Sequence, residues 1–275
     1  KNFFFKAAII ALVIVSYFSG YILRENASGG GLEFYNLSWP IIQSLKNDFI
    51  FTINNYGSFG DATIPFSHII NAYLNPFSDN VSNFQLSITI ISFLIFLIFA
   101  LVLRKIFPEI SFIDIFITSS VFLLLPFFRV SAFWGKNENY GWLFLILSFY
   151  FFFHIKKTIN EQPNRKDLIN TVLFCLTSAC ALYARQALVF LPISFLLYLF
   201  FYKGDKKIII TSIVSFIIFA LPGVLLFWNW GGLYDVKNFG NNFGGWFNYN
   251  YILKNLPILL SFFGFYLFPI AVIEL

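Results

Sequence analysis

Residues 86–103 read LSITIISFLIFLIFALVL and are closed by Arg104-Lys105. A helix of that length rises roughly 27 Å, close to the thickness of the hydrocarbon core of a bilayer. The run holds no charge, and a helix is the form in which its amides satisfy one another where lipid offers them nothing. Working outward, similar runs cover Lys6–Leu23, Ile110–Phe128, Tyr140–Ile155, Leu168–Tyr183, Ala187–Tyr202 and Ile208–Trp228, and another begins near Ile252. The expected fold is all-α: a polytopic transmembrane helical bundle of about eight spans, with residues 1–275 as one transmembrane domain.

Composition agrees. Of 275 residues 59% are hydrophobic and 11% charged, against roughly 25% charged in soluble domains. A soluble globule of this size cannot hide so much apolar surface. Met is absent even at position 1, and the run Pro269–Leu275 stops at or near a span. The chain is therefore expected to be a fragment that lacks its start and its C-terminal part. Cys175 and Cys180 lie in one apolar run and read as small hydrophobes rather than as a disulfide or metal pair.

The cations set an orientation. Lys1, Lys6, Arg104, Lys105, Lys156, Lys157, Arg165, Lys166, Lys203, Lys206 and Lys207 fall on one side of the expected spans. Arg24, Lys46, Arg129, Lys136, Arg185, Lys237 and Lys254 fall on the other, over far more sequence. Positive-inside places the N-terminus in the cytoplasm. A net charge of +5 arranged beside apolar runs is a topology signal, and no nucleic-acid partner is implied.

The first outer loop, 24–85, is too long for a simple connection. Within it Leu32–Leu45 (LEFYNLSWPIIQSL) and Thr63–Leu74 (TIPFSHIINAYL) place apolar residues three and four apart, as amphipathic helices at the membrane interface do. A second outer loop covers 228–251. Glu33 follows Gly29–Gly31, where a backbone without Cβ atoms can approach a ligand; it reads either as a catalytic carboxylate or as a partner of a helix dipole. Glu138 lies in Gly135-Lys-Asn-Glu-Asn139 and is either functional or a solvated partner of Lys136. Arg185 sits in so tight a turn that its guanidinium lies at the interface; it either snorkels or meets an anion, phosphate being the group it matches best, with Gln186 beside it. His68 reads as a surface residue or a base, and Asp114 as reaching water or pairing with Arg104 or Lys105.

The stretches Gly31-Leu-Glu-Phe-Tyr-Asn36 and Thr63-Ile-Pro-Phe-Ser-His68, behind a first span, resemble the acidic motif and Pro-containing helix of the GT-C class of membrane glycosyltransferases. Arg129–Asn139 resembles the segment where that class places a second acidic residue. Tyr183-Ala-Arg-Gln-Ala187 and Leu226-Phe-Trp-Asn-Trp-Gly-Gly232 are similar to parts of the dolichyl-phosphate-glucose alpha-1,2-glucosyltransferase family and its bacterial relatives. The resemblance implies an inverting transfer from a polyprenyl-phosphate sugar to a hydroxyl of a glycan, lipid-linked or protein acceptor, on the extracytoplasmic face of the cytoplasmic membrane. It implies Glu33 as general base, with Arg185 stabilising the departing phosphate and Gln186 or Lys136 assisting. Glu138, Asp61 and His68 would hold hydroxyls, and Arg129 falls in the second acidic segment. A single glutamate stands where the class often has an acidic pair, so no cofactor is assigned and a divalent metal is left open. A transporter or flippase for a lipid-linked sugar or another amphiphile is the alternative, and an O-antigen polymerase or ligase the second. Membrane lipid is a partner in each.

Overall fold

A computed structural model of the chain describes residues 2–26, 29–61, 63–136, 138–158, 163–201 and 205–229. The expected eighth span and the 228–251 loop beyond Asn229 lie outside the described residues. Among those described, every regular element is a helix.

α1 (Asn2–Ile22), α6 (Val81–Ile106), α10 (Arg165–Ala184) and α12 (Lys206–Asn229) contain apolar stretches long enough to cross a membrane. α7 (Phe112–Ser120), a 3-10 turn (Val121–Leu124) and α8 (Pro126–Trp134) form a pair bent by 68°, a fifth crossing if taken as one. That is a multi-pass membrane architecture with four or five such elements among the described residues, against the eight expected from sequence. α9 (Glu138–Thr158) has the length, yet Glu138, Asn139 and His154 make its ends polar. α11 (Phe190–Phe201), even with the 3-10 turn Gln186–Val189 before it, is short for a crossing.

The bend has a local cause. Leu125 is extended (φ −66°, ψ 122°) because Pro126 forbids it the helical region, and the Pro ring then serves as the first residue of α8. Asp114, in the first turn of α7, pairs with Lys6 at 2.5 Å. At the far end of α8, Trp134 donates Nε1–H to the carbonyl of Glu25 at 2.9 Å. Lys6 and Glu25 flank opposite ends of α1, so the bent pair follows α1 along its whole length and does not turn back. Asp114 therefore takes Lys6 as its partner, not Arg104 or Lys105. Arg104 instead donates to the carbonyls of Pro108 and Ile110.

Where helices meet closely, small polar side chains join them. Ser148 of α9 bonds Thr177 of α10 at 3.0 Å and Ser178 at 3.3 Å. Such contacts hold helices together where lipid supplies no hydrophobic drive.

Between α1 and α6 the chain forms α2 (Gly30–Glu33), a π-helical stretch (Phe34–Ser38), α3 (Trp39–Asn47), α4 (Phe49–Asn54), a 3-10 turn (Tyr56–Phe59) and α5 (Phe66–Tyr73). The wide π turns lie just before Pro40, whose ring would otherwise meet the carbonyl four residues back. Both expected amphipathic segments are helical; the first turns the apolar face of α3 inward, whereas the second buries Ser67, His68 and Asn71 and leaves Tyr73 and Leu74 exposed. Ile41, Ile42 and Leu45 of α3 are fully buried, and the Tyr73 hydroxyl bonds the Leu45 carbonyl at 2.5 Å. Exposed apolar side chains also include Phe49-Ile-Phe51 of α4, outside both segments.

Helix directions bring the C-terminal ends of α1, α8 and α10 and the start of α9 to one end of the bundle. Arg104-Lys105, Arg165-Lys166 and Lys206-Lys207 all fall at the other.

Candidate functional site

Three of the ion pairs at the less basic end join residues beside α1, α2, α8, α9 and α10. Glu33 and Lys136 are joined at 2.5 Å, Glu138 and Arg185 at 3.1 Å, and Glu25 and Arg129 at 2.6 Å. Lys136 of the first pair and both members of the second line one cavity of about 380 Å³, with Pro126, Phe127, Val130, Trp142, Ala187 and Leu188. Its polar groups come from two separate stretches of chain, 136–138 and 185, and its apolar wall is α8 with the turn before α11.

Each polar group is held by its neighbours. Phe34, directly after Glu33, is fully buried and stacks on Phe84 at 5.8 Å, with Trp134 at 6.3 Å. Gly30 and Gly31 let α2 rest on α8: a Cβ at Gly30 would overlap Val130, and one at Gly31 would lie 3.1 Å from Trp134. The glycines expected to admit a ligand thus admit a helix, which brings Glu33 to Lys136. Gly135 (φ +63°) ends α8 in the left-handed region and turns the chain into Lys136 and Glu138. Ser131 donates to Glu138 at 3.3 Å. Gly141 packs on Arg185, where an added Cβ would sit 3.2 Å from the arginine Cβ. Glu33 and Arg185 both have side chains 47% exposed, so each is open to a ligand, whereas Lys136 is 14% exposed.

Arg129 is placed differently from the expected loop residue. It lies inside α8, is buried, and gives its guanidinium to Ser16 Oγ at 3.0 Å, the Ser16 carbonyl at 2.9 Å and Glu25. A Cβ at Gly20 would collide with that guanidinium. Arg129 is a strap between α1 and α8 and does not line the cavity. Gln186 opens the 3-10 turn beside Arg185.

Asp61 and His68 form a second polar cluster with Tyr56. The Tyr56 hydroxyl lies 3.1 Å from Asp61 Oδ2 and 3.0 Å from His68 Nδ1. Thr63 donates its N–H to Asp61 Oδ1 at 2.8 Å and its hydroxyl at 2.9 Å. His68 is fully buried and not on the surface. Burial lowers its pKa from the ordinary imidazole value; the negative charges of Asp61 and, further off, Glu33 oppose this. Tyr56, which no motif singles out, has its hydroxyl pushed well above the usual value by burial and by Asp61.

A second cavity, about 450 Å³, is lined by Ile64, Pro65, Phe66 and Ile69 with residues of α10 and α12. Beside it the Tyr183 hydroxyl accepts from the Gly223 N–H at 3.1 Å and donates to the Phe219 carbonyl at 2.5 Å. It is inserted into the i→i−4 ladder of α12 just past Pro222, a recognised way to open a helix. Among the described residues, no three His, Cys, Asp or Glu side chains are grouped to hold a metal ion. Compared with protein-family models, curated proteins and solved structures, the chain matches none of them.

Proposed function

We propose that this protein is a membrane glycosyltransferase that moves a sugar from a polyprenyl-phosphate donor to an acceptor hydroxyl with inversion. The reading places it in the cytoplasmic membrane with eight spans, the N-terminus in the cytoplasm and the site on the extracytoplasmic face. The observation that supports it most is the cavity lined by Lys136, Glu138 and Arg185, with the half-exposed Glu33 carboxylate paired to Lys136 and the half-exposed Arg185 guanidinium at the same end of an apolar bundle.

The transfer needs a base and an anion site. Glu33 takes the proton of the acceptor hydroxyl as its oxygen attacks the anomeric carbon. The bond from that carbon to the phosphate oxygen breaks, and the phosphate departs with the electron pair. Arg185 meets the departing phosphate, since guanidinium fits two of its oxygens at once. Lys136 fixes the Glu33 carboxylate from its far side and adds positive charge. Glu138 orients Arg185 and accepts from sugar hydroxyls. The cavity of about 450 Å³ walled by α5, α10 and α12 offers apolar surface for the isoprenoid tail.

A transporter or flippase is the second reading, favoured by one observation. The pair α7–α8 is broken at Leu125-Pro126, and Pro126 and Phe127 line the cavity. Broken helices beside a site are a feature of transporters. Full-length protein in proteoliposomes, supplied with labelled polyprenyl-phosphate hexose and a membrane glycolipid extract, separates the two. Transfer predicts release of polyprenyl phosphate with label in the extract. Label crossing the bilayer on an intact donor would replace the transferase reading with the transporter one.

A further inference from the structure

Tyr56 has one hydroxyl proton, and Asp61 and His68 both lie within reach of it. Asp61 Oδ2, at 3.1 Å, is a carboxylate oxygen and can only accept. The proton therefore goes to Asp61, and the Tyr56 oxygen must accept from His68 Nδ1 at 3.0 Å. Nδ1 then carries the imidazole proton, and Nε2 is left as a lone pair. Nε2 is buried, and no group among the described residues donates to it.

Two more atoms on α5 share this condition. Ser67 Oγ and Asn71 Nδ2 are buried without a partner among the described residues, although Asn71 Oδ1 accepts from the Tyr140 hydroxyl at 2.5 Å. Residues 67, 68 and 71 lie on one face of a helix, 68 and 71 being one turn apart. Buried polar atoms are nearly always satisfied by protein, by water or by a ligand. The demands here are mixed: His68 Nε2 only accepts, Asn71 Nδ2 only donates, and Ser67 Oγ does either. A cation would face the amide hydrogens of Asn71, and an anion would face the Nε2 lone pair. A neutral hydroxyl both donates and accepts.

We propose that the buried face of α5 is a hydroxyl-binding subsite in which His68 Nε2 accepts the hydrogen bond of a neutral O–H group and Asn71 Nδ2 donates to oxygen of the same class. Asp61 and Tyr56 are positioning residues that fix the tautomer. Water and a sugar hydroxyl have the same chemistry at this site. The water case is independent of the transfer reading, and the sugar case rests on it.

The chain has two histidines, His68 and His154, so a His154→Asn variant leaves one imidazole to observe. Full-length protein labelled with 15N-histidine in lipid nanodiscs, read by long-range 15N–1H correlation at neutral pH, reports which ring nitrogen is protonated and whether the other accepts a hydrogen bond. The expected result is a neutral ring protonated on Nδ1, with the Nε2 resonance displaced toward the hydrogen-bonded position. If polyprenyl-phosphate hexose moves Nε2 further and polyprenyl phosphate alone does not, the donor is a sugar hydroxyl; if neither moves it, the occupant is water. A proton on Nε2, or an Nε2 resonance at the free position with and without the sugar lipid, overturns the proposal. The readout is a ring nitrogen and not turnover, so a protein that transfers no sugar would sink the transferase reading while leaving this one intact.

Discussion

Lys136 and Glu33 stand 103 residues apart in sequence and 2.5 Å apart in space. One follows the glycine that ends α8, and the other closes the four-residue helix that rests on α8. The pair therefore exists only when the segment after α1 is docked on the bundle, and it fixes the carboxylate that the transferase reading makes the base.

Glu33→Gln is the most direct test of that role. General-base catalysis contributes 100-fold or more, so turnover of polyprenyl-phosphate sugar should fall by about that factor. The half-exposed pair is worth about 0–1 kcal/mol, so the melting temperature should barely move. Turnover near wild type in the folded variant removes Glu33 from the mechanism.

Arg185 should matter through geometry as well as charge. Arg185→Lys keeps the charge and loses the two-pronged fit to phosphate. A loss in kcat/KM of about tenfold is expected for Lys and about 100-fold for Ala, roughly 1.4 and 2.7 kcal/mol of transition-state stabilisation. Equal activity in all three forms would show that no phosphate charge is stabilised there.

Gly30 and Gly57 make a controlled pair. A Cβ at position 30 would overlap Val130, while one at position 57 meets nothing within 4 Å. Gly30→Ala should cost about 1–3 kcal/mol by overpacking and lower the melting temperature, whereas Gly57→Ala should leave it unchanged. Matching melting curves for the two variants would contradict the close seating of α2 on α8.

His68 gives the stability a pH dependence of defined sign. Its pKa in the folded protein lies below the ordinary value because it is buried, with Asp61 and Glu33 opposing. Between those two values the unfolded chain binds the proton and the folded chain does not, so lowering the pH favours unfolding. Above about pH 6.5 neither state holds it and the contribution is flat. The melting temperature should fall below about pH 6.5, and His68→Asn should remove that part of the slope. An unchanged acid slope in the variant would assign it elsewhere.

Arg129→Ala should act on folding. It removes a buried guanidinium and leaves Glu25 without its partner, a change of about 3 kcal/mol in buried pairs and less here because Glu25 is one-third exposed. Its melting temperature should fall further than that of Arg185→Ala.

Much of the bundle was legible because a membrane-crossing helix is a local property. Residues 86–103 declare themselves without reference to any other part of the chain, and so does the turn at Arg185. The amphipathic spacing of 32–45 and 63–74 showed two helices but not what covers them, since an apolar face fits lipid and protein equally well. The burial of His68 was hidden for the same reason: its neighbours Tyr56 and Asp61 reach it through a fold that periodicity does not encode. Pro126 stood in plain view, yet the length of the apolar run around it masked the break. Glu33, Glu138, Lys136 and Arg185 were singled out as charges beside apolar runs, and the structure brings them to one end of the bundle. Arg129 carried the same signal and became a strap, because a charge near a span end serves packing as readily as chemistry.

The strap between α1 and α8 also constrains how the chain is assembled. Glu25 leaves the ribosome long before Arg129, so α1 enters the bilayer with its carboxylate unmatched. It stays so until α6 and α7 have been made and α8 arrives. Any nascent chain cut short between those two residues lacks the side-chain bond that ties its first helix to α8.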